Sequence, residues 1–206
     1  MTLAALVLLV LAGALGAAVL RRAETGRVPR GRELVAHRRE PATPWAAFAL
    51  AGLVAAAAAL AWAAAPPTPW LRSAVAIAAV VAAGLGGGPV VTAVLAAADP
   101  TRAVSALTGP PTTTSPVGGQ RPGMAGIADP DVLRGGSWIG VLERLALAAT
   151  MLAGWPEGLP VVLAIKGLGR FQALKETPAA ERFIIGTLTS VLWAAACAGV
   201  AVLARG

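Results

Sequence analysis

The chain has 206 residues, of which 57% are hydrophobic, and it carries a formal net charge of +7. Soluble domains are about half apolar even when glycine is counted, so this composition excludes a soluble domain. One cysteine and one histidine exclude an internal disulfide and argue against a metal, haem or other redox cofactor. The basic residues flank apolar segments and do not alternate with aromatic residues, which argues against nucleic-acid binding. The composition therefore predicts an integral membrane protein without a cofactor.

Four stretches that lack charged residues and histidine are long enough to cross a bilayer, which takes about 20 residues. They comprise residues 1–20, 41–71, 73–98 and 183–204. Basic residues follow the first stretch and do not precede it, which is typical of a retained helix and not of a signal peptide. Two further apolar segments, interrupted by charges, meet at a turn at 155–158. These stretches predict an all-α, polytopic transmembrane bundle of about six helices.

The fourth and fifth predicted helices are short. Only 12 uncharged residues separate Arg144 from Glu157, and only eight separate Glu157 from Lys166. If either helix crosses the membrane, some of its charged residues must lie within the hydrocarbon region. Two forms are open, a short hairpin that crosses and a re-entrant hairpin that dips into the membrane and returns.

The positions of the basic residues predict an orientation. If the chain starts outside the cell, all of its 17 Lys and Arg residues except Arg72 and Arg205 lie in the cytoplasmic half. Cytoplasmic ends of membrane helices carry an excess of Lys and Arg, so both termini are predicted outside. The excess of Arg over Lys and the many Ala and Gly residues are typical of a GC-rich bacterial genome. The predicted location is the bacterial cytoplasmic (inner) membrane.

The chain divides into three predicted parts. Residues 1–98 form a three-helix membrane part with a basic cytoplasmic loop at 21–44. Residues 99–136 contain Gly-Pro-Pro, three consecutive Thr and Gly-Gly, which predicts a flexible cytoplasmic loop. Residues 137–206 form a C-terminal three-helix membrane cassette.

Charged residues in this cassette form the first candidate site. Counted from the turn, Glu143 and Lys166 lie about 15 to 18 Å along their helices, so Glu143 or Arg144 faces Lys166. The candidate is a cytoplasm-facing polar cluster of Glu143, Arg144, Lys166, Arg170, Glu181 and Arg182. Its net positive charge suits a lipid phosphate or a partner carboxylate. The alternative is a mutually paired network that holds the helices together and binds nothing.

The second candidate site is a glycine-rich stretch near the middle of the third helix. It comprises Gly84, Gly86, Gly87, Gly88 and Pro89. Broken helices in transporters expose backbone groups that bind substrates, so these residues predict a helix break. The alternative is close packing of helices through small residues, with a proline kink.

A family resemblance covers residues 135–205. It rests on Gly140-x-x-Glu143-Arg144, Lys166-x-x-x-Arg170-Phe171 and Ala180-Glu181-Arg182-Phe183-x-x-Gly186-Thr187-x-x-Ser190. Together these motifs resemble the C-terminal part of uncharacterised bacterial multi-pass inner-membrane proteins. The resemblance implies a membrane location and a recurring helical cassette, and it implies no activity.

The leading functional hypothesis is a non-enzymatic membrane subunit. Its charged cluster would bind partner helices or an anionic lipid, with a membrane protein or a second copy of the chain as the partner. The alternative is a small transporter or channel that uses the glycine-rich break. A third hypothesis is an enzyme acting on a lipid phosphate, for which Asp129-Pro130-Asp131 could hold Mg²⁺.

Overall fold

The computed structural model describes residues 1–25, 44–98, 136–171 and 177–205. These residues form six α-helices and no strand: α1 (Thr2–Thr25), α2 (Pro44–Trp62), α3 (Pro69–Ala97), α4 (Gly136–Leu152), α5 (Gly158–Leu168) and α6 (Thr177–Leu203). The predicted all-helical membrane bundle is confirmed. Most of the predicted basic loop, nearly all of the predicted flexible loop and the Asp129-Pro130-Asp131 motif lie outside the described residues.

Helices α1, α2, α3 and α6 are long and apolar enough to cross a membrane. Helix α4 has 17 residues and α5 has 11. At 1.5 Å per residue they rise about 25 and about 16 Å, less than the hydrocarbon core of about 30 Å. Both helices are therefore shorter than the hydrocarbon core, and the choice between a crossing and a re-entrant hairpin stays a prediction.

A tight turn directs α5 back along α4. Gly154 has a φ of +70°, in the left-handed region that glycine adopts without strain. The N–H of Gly154 donates to the Met151 carbonyl at 3.3 Å, and the N–H of Trp155 donates to the Thr150 carbonyl at 3.0 Å. This pair of bonds is the Schellman motif that ends many helices. The turn brings the residues of α5 to the same depth as those of α4.

Helix α3 is the centre of the bundle. It packs against α1, α2, α4 and α6, whereas α5 packs mainly on α4. The core is built largely from alanine and glycine, which let helix backbones approach closely. Small residues of α6 contribute to this packing as well, because Ser190, Ala194 and Ala198 are buried.

Side-chain and backbone contacts establish the helix directions. On α1, Gly13 lies beside Val81 and Ala82, and Gly16 lies beside Leu85 and Gly86, so α1 and α3 run parallel. On α6, Gly186 lies beside Val91 and Leu95, whereas Trp193 bonds Ala82, so α6 is antiparallel to α3. The Arg205 side chain donates to the Leu152 carbonyl at 3.1 Å, which joins the ends of α6 and α4.

These directions define two ends of the bundle. The connector face holds the starts of α1 and α3 and the ends of α4 and α6. The loop face holds the ends of α1 and α3 and the start of α6. Residues 1 and 205 therefore both lie at the connector face.

Candidate functional site

An ion pair joins the two helices of the hairpin. Lys166 Nζ lies 2.5 Å from Glu143 Oε2, and the two side chains are 17% and 15% exposed. Lys166 Nζ also lies 5.9 Å from the centre of the Phe183 ring, within the range of a cation–π interaction. The lysine therefore links α5 to α4 and to the start of α6. Counting residues from the turn predicted that either Glu143 or Arg144 faces Lys166. In the structure the residue that faces Lys166 is Glu143.

Arg144 lies apart from this pair. Its side chain is only 4% exposed. Nε and Nη2 both donate to the Gly84 carbonyl oxygen, at 3.2 and 3.0 Å. Consecutive helical residues point about 100° apart, so Glu143 faces α5 while Arg144 faces α3. Arg144 therefore bonds α3 and not Lys166, with which the sequence prediction grouped it.

Glycines make the space that Arg144 occupies. A Cβ atom on Gly87 would overlap Arg144 Cδ and lie 2.5 Å from Nε. A Cβ on Gly140 would lie 3.2 Å from Nη1. At Gly88 the nearest such contact, to Nη2, would be 3.9 Å, an ordinary distance. The absence of a side chain is therefore required at Gly87 and not at Gly88.

The Arg144 contact lies near mid-depth of the bundle. Gly84 is close to the centre of the 29-residue helix α3. An arginine at the centre of a membrane helix costs about 2.5–3.5 kcal/mol on insertion scales. Hydrogen bonds to a charged group contribute about 1.5–3 kcal/mol, which offsets much of that cost. The Gly84 carbonyl therefore stabilises Arg144 at this depth.

The predicted helix break is not present. Helix α3 continues from Pro69 to Ala97, with Pro89 inside it. Side chains fill the glycine surface: a Cβ on Gly84 would lie 2.8 Å from Leu145, and one on Gly86 would lie 2.7 Å from Trp193. The predicted break is wrong because neighbouring helices pack against these glycines. The transport function linked to the break stays a prediction.

Helix α1 packs against the backbone that Pro89 affects. Proline has no N–H, so the Leu85 carbonyl lacks its usual partner four residues later. Gly16 packs directly against this carbonyl. A Cβ added to Gly16 would lie 2.5 Å from the Leu85 oxygen and 2.6 Å from Gly86 Cα. The glycine-rich stretch is therefore a crossing point for α1 on one side and Arg144 on another.

Trp193 is a site residue to which the sequence analysis assigned no role. It is 5% exposed, and its Nε1 donates to the Ala82 carbonyl at 3.3 Å. Its ring contacts the surfaces of Gly86 and Gly87, beside Arg144. The position of Trp193 could have indicated this role from the sequence. It lies in the middle of an apolar helix, whereas the other tryptophans lie near helix ends.

The remaining cluster residues lie on the surface. Arg170 follows the end of α5, and Glu181 and Arg182 lie near the start of α6. All three are exposed. Of the six residues predicted as one cluster, Arg144 is buried, Glu143 and Lys166 form a partly covered ion pair, and the other three are exposed.

This is a helical membrane protein. The four long apolar helices establish that much. Comparison with protein-family models, with curated proteins and with solved structures finds no match. The resemblance of residues 135–205 to bacterial inner-membrane proteins stays a prediction.

Proposed function

We propose that the protein is a non-enzymatic, multi-pass subunit of the bacterial cytoplasmic membrane that packs with other membrane components through its C-terminal cassette. The main support is a charge pair that stays partly exposed on an apolar surface. Lys166 pairs with Glu143 at 2.5 Å, and the two side chains are 17% and 15% exposed. Exposed apolar side chains lie on the same two helices.

The α4–α5 hairpin is the proposed interaction surface. Its outer side is apolar and exposed, at Leu142, Val161 and Ile165 among others. The Glu143–Lys166 pair retains 15–17% exposure between these residues. A partly exposed charge pair at membrane depth is costly in hydrocarbon, which favours covering it with another membrane component.

Both termini are proposed to lie outside the cell, with the loop face toward the cytoplasm. Two segments connect helix ends that lie at the loop face: residues 26–43 connect α1 to α2, and residues 99–135 connect α3 to α4. Arg21 and Arg22 near the end of α1 lie there too. This arrangement places most basic residues on the cytoplasmic side, as the positive-inside rule requires.

One tagged protein tests the proposal. An epitope added after Gly206 should bind antibody on intact spheroplasts, because the C-terminus lies outside. A photo-crosslinking amino acid at Ile165 should then yield a defined membrane-protein adduct when the tagged chain is purified in mild detergent. The adduct mass distinguishes a second copy of the chain from a different protein.

The matched control places the same crosslinker at Phe48 of α2, which is 77% exposed. This position should give no defined adduct. Adducts of equal yield at both positions, or at neither, would argue against an interaction surface on the hairpin. Antibody access only after the membrane is opened would reject the orientation.

A further inference from the structure

We propose that the partner of the α4–α5 hairpin is a second copy of this chain, related to the first by a two-fold axis along the membrane normal. In this dimer Glu143 of each copy faces Lys166 of the partner subunit. The inference rests on the proposed function, because it names the component that the hairpin surface binds. Three features support it: the arrangement of the charge pair, the surface around the pair and the open position at Gly167.

The two charges of the pair lie at one depth on two adjacent helices. Lys166 Nζ is 2.5 Å from Glu143 Oε2, and both side chains keep some exposure. The acid belongs to α4 and the base to α5, which the turn directs back along α4. The charges therefore lie side by side across the hairpin, with the acid on one helix and the base on the next.

A side-by-side pair of opposite charges is complementary to itself. A half turn about the membrane normal keeps each charge at its depth and reverses the lateral order of acid and base. Glu143 then lies opposite Lys166 of the partner subunit, and Lys166 lies opposite Glu143 of the partner subunit. The four charges form a closed ring in which every neighbour has the opposite sign.

This complementarity favours a second copy over a different protein. Charge exposed at membrane depth is costly, so the surface that covers the pair should carry matching charges. A different protein would need its own acid and base at this depth and in this order. A second copy supplies both by symmetry, because a two-fold interface uses the same surface patch on each subunit.

Apolar side chains surround the pair on both helices. Ile139 lies one turn before Glu143 on the same face of α4 and is 58% exposed. Ile165, next to Lys166 on α5, is 66% exposed. Lipid would cover these apolar side chains as well as a protein would. The charge pair is therefore the feature of this surface that selects the partner.

Gly167 leaves space for a second helix beside Lys166. A Cβ built on Gly167 would meet no described residue of another helix within 4 Å. Small residues at such positions let helix backbones approach closely in membranes. Gly52 is open in the same way, but it belongs to α2, outside the hairpin. Bulky substitutions at these two glycines therefore differ in location and not in the space available within the monomer.

Substitution of the two open glycines tests where the dimer forms. The full-length protein carries one fluorophore and is diluted into vesicles of phosphatidylethanolamine and phosphatidylglycerol. Photobleaching of single complexes then counts the copies in each. The unaltered chain should bleach in two steps, and G167W should weaken the dimer by about tenfold or more, because its side chain overfills the interface.

The matched control G52W should dimerise like the unaltered chain. Both variants should keep the far-UV circular dichroism of the unaltered chain, because each new side chain enters open space. Equal weakening by the two substitutions, or no weakening by G167W, would overturn a dimer formed through the hairpin.

Mixing charge variants tests the pairing itself. E143K has two bases at the interface and K166E has two acids, so each variant repels its own kind. One chain of each variant together place bases opposite acids. Two differently tagged chains should therefore co-purify at least about tenfold more as E143K with K166E than as either variant with itself. Equal yields in all three combinations, or no accumulation even when the two variants are expressed together, would overturn the pairing.

The crosslink at Ile165 separates the possible failures. The expected adduct has twice the mass of the chain. A defined adduct with a different protein would reject the second copy and leave the proposed function standing. Single-step bleaching together with no adduct at Ile165 would reject both.

Discussion

Replacing Gly16 with alanine is expected to lower the free energy of unfolding by about 2–3 kcal/mol, the upper part of the range for overpacked cores. The new Cβ would lie 2.5 Å from the Leu85 carbonyl oxygen and 2.6 Å from Gly86 Cα. Both atoms belong to the α3 backbone, so a change of side-chain rotamer cannot relieve the overlap. Helix α1 would have to move away from α3. Unfolding by SDS in mixed micelles, followed by circular dichroism, measures the change.

Gly13 provides the matched control for this prediction. It lies on the same side of α1, one turn earlier, and a Cβ there would meet Val81 Cγ1 at 3.6 Å, an ordinary contact. Both substitutions gain about the same intrinsic helix propensity. Gly13→Ala should therefore leave the free energy of unfolding unchanged or raise it slightly. Equal effects at the two positions would show that α1 does not approach α3 as described.

The second large effect is expected at Gly87. Gly87→Ala should lower the free energy of unfolding by about 3 kcal/mol, because its Cβ displaces Arg144 and breaks charge-assisted hydrogen bonds. The Cβ would overlap Arg144 Cδ and lie 2.8 Å from Trp193 Cδ1. Gly88→Ala is the control, with its nearest contact to Arg144 at 3.9 Å. The same unfolding assay measures both variants.

A double-mutant cycle tests whether Arg144 causes this effect. In an Arg144→Ala background the space beside Gly87 is empty except for Trp193, so adding the methyl group should cost less than half as much. Residues in direct contact show coupling energies of about 0.5–3 kcal/mol. Strictly additive effects of the two substitutions would contradict the contact between Arg144 and the glycine surface.

Much of the fold could be predicted because bilayer thickness constrains sequence directly. Charge-free stretches of sufficient length predicted the four long helices, and the charge spacing predicted that α4 and α5 are short. Helix ends were less accurate. Helix α6 begins at Thr177, six residues before the apolar stretch, and α3 begins at Pro69 and includes Arg72. Helices extend past the hydrocarbon, so the limits of apolar stretches are not helix limits.

Only one part of the candidate site, the contact between α4 and α5, could be predicted, because it depends on the geometry of two helices that are adjacent in sequence. The rise of 1.5 Å per residue was enough to place Glu143 level with Lys166. The position of Arg144 depends on which helix covers that face of α4, and this is a tertiary property. The glycine stretch was compatible with both a break and close packing. Arg144 and Trp193, which fill its surface, come from distant parts of the sequence.

The glycine-rich stretch therefore has a structural role in this fold. Gly86 lies against α1 and Trp193, and Gly87 lies against Arg144. Small residues allow this close approach in membranes, where lipid provides no hydrophobic force between helices. Arg144 adds a polar contact at the same level of α3. Helices α1, α4 and α6 thus meet on one short segment of α3.

A charge exchange between Glu143 and Lys166 tests most directly the claim that charges within the membrane part hold the protein's own helices together. E143K and K166E alone should each lower the free energy of unfolding by about 3 kcal/mol, because each places two like charges in contact in a mostly buried position, or prevent accumulation of the protein. The double variant E143K/K166E restores a pair across the 2.5 Å contact and should recover most of the stability. A double variant as unstable as the sum of the single variants would contradict the claim.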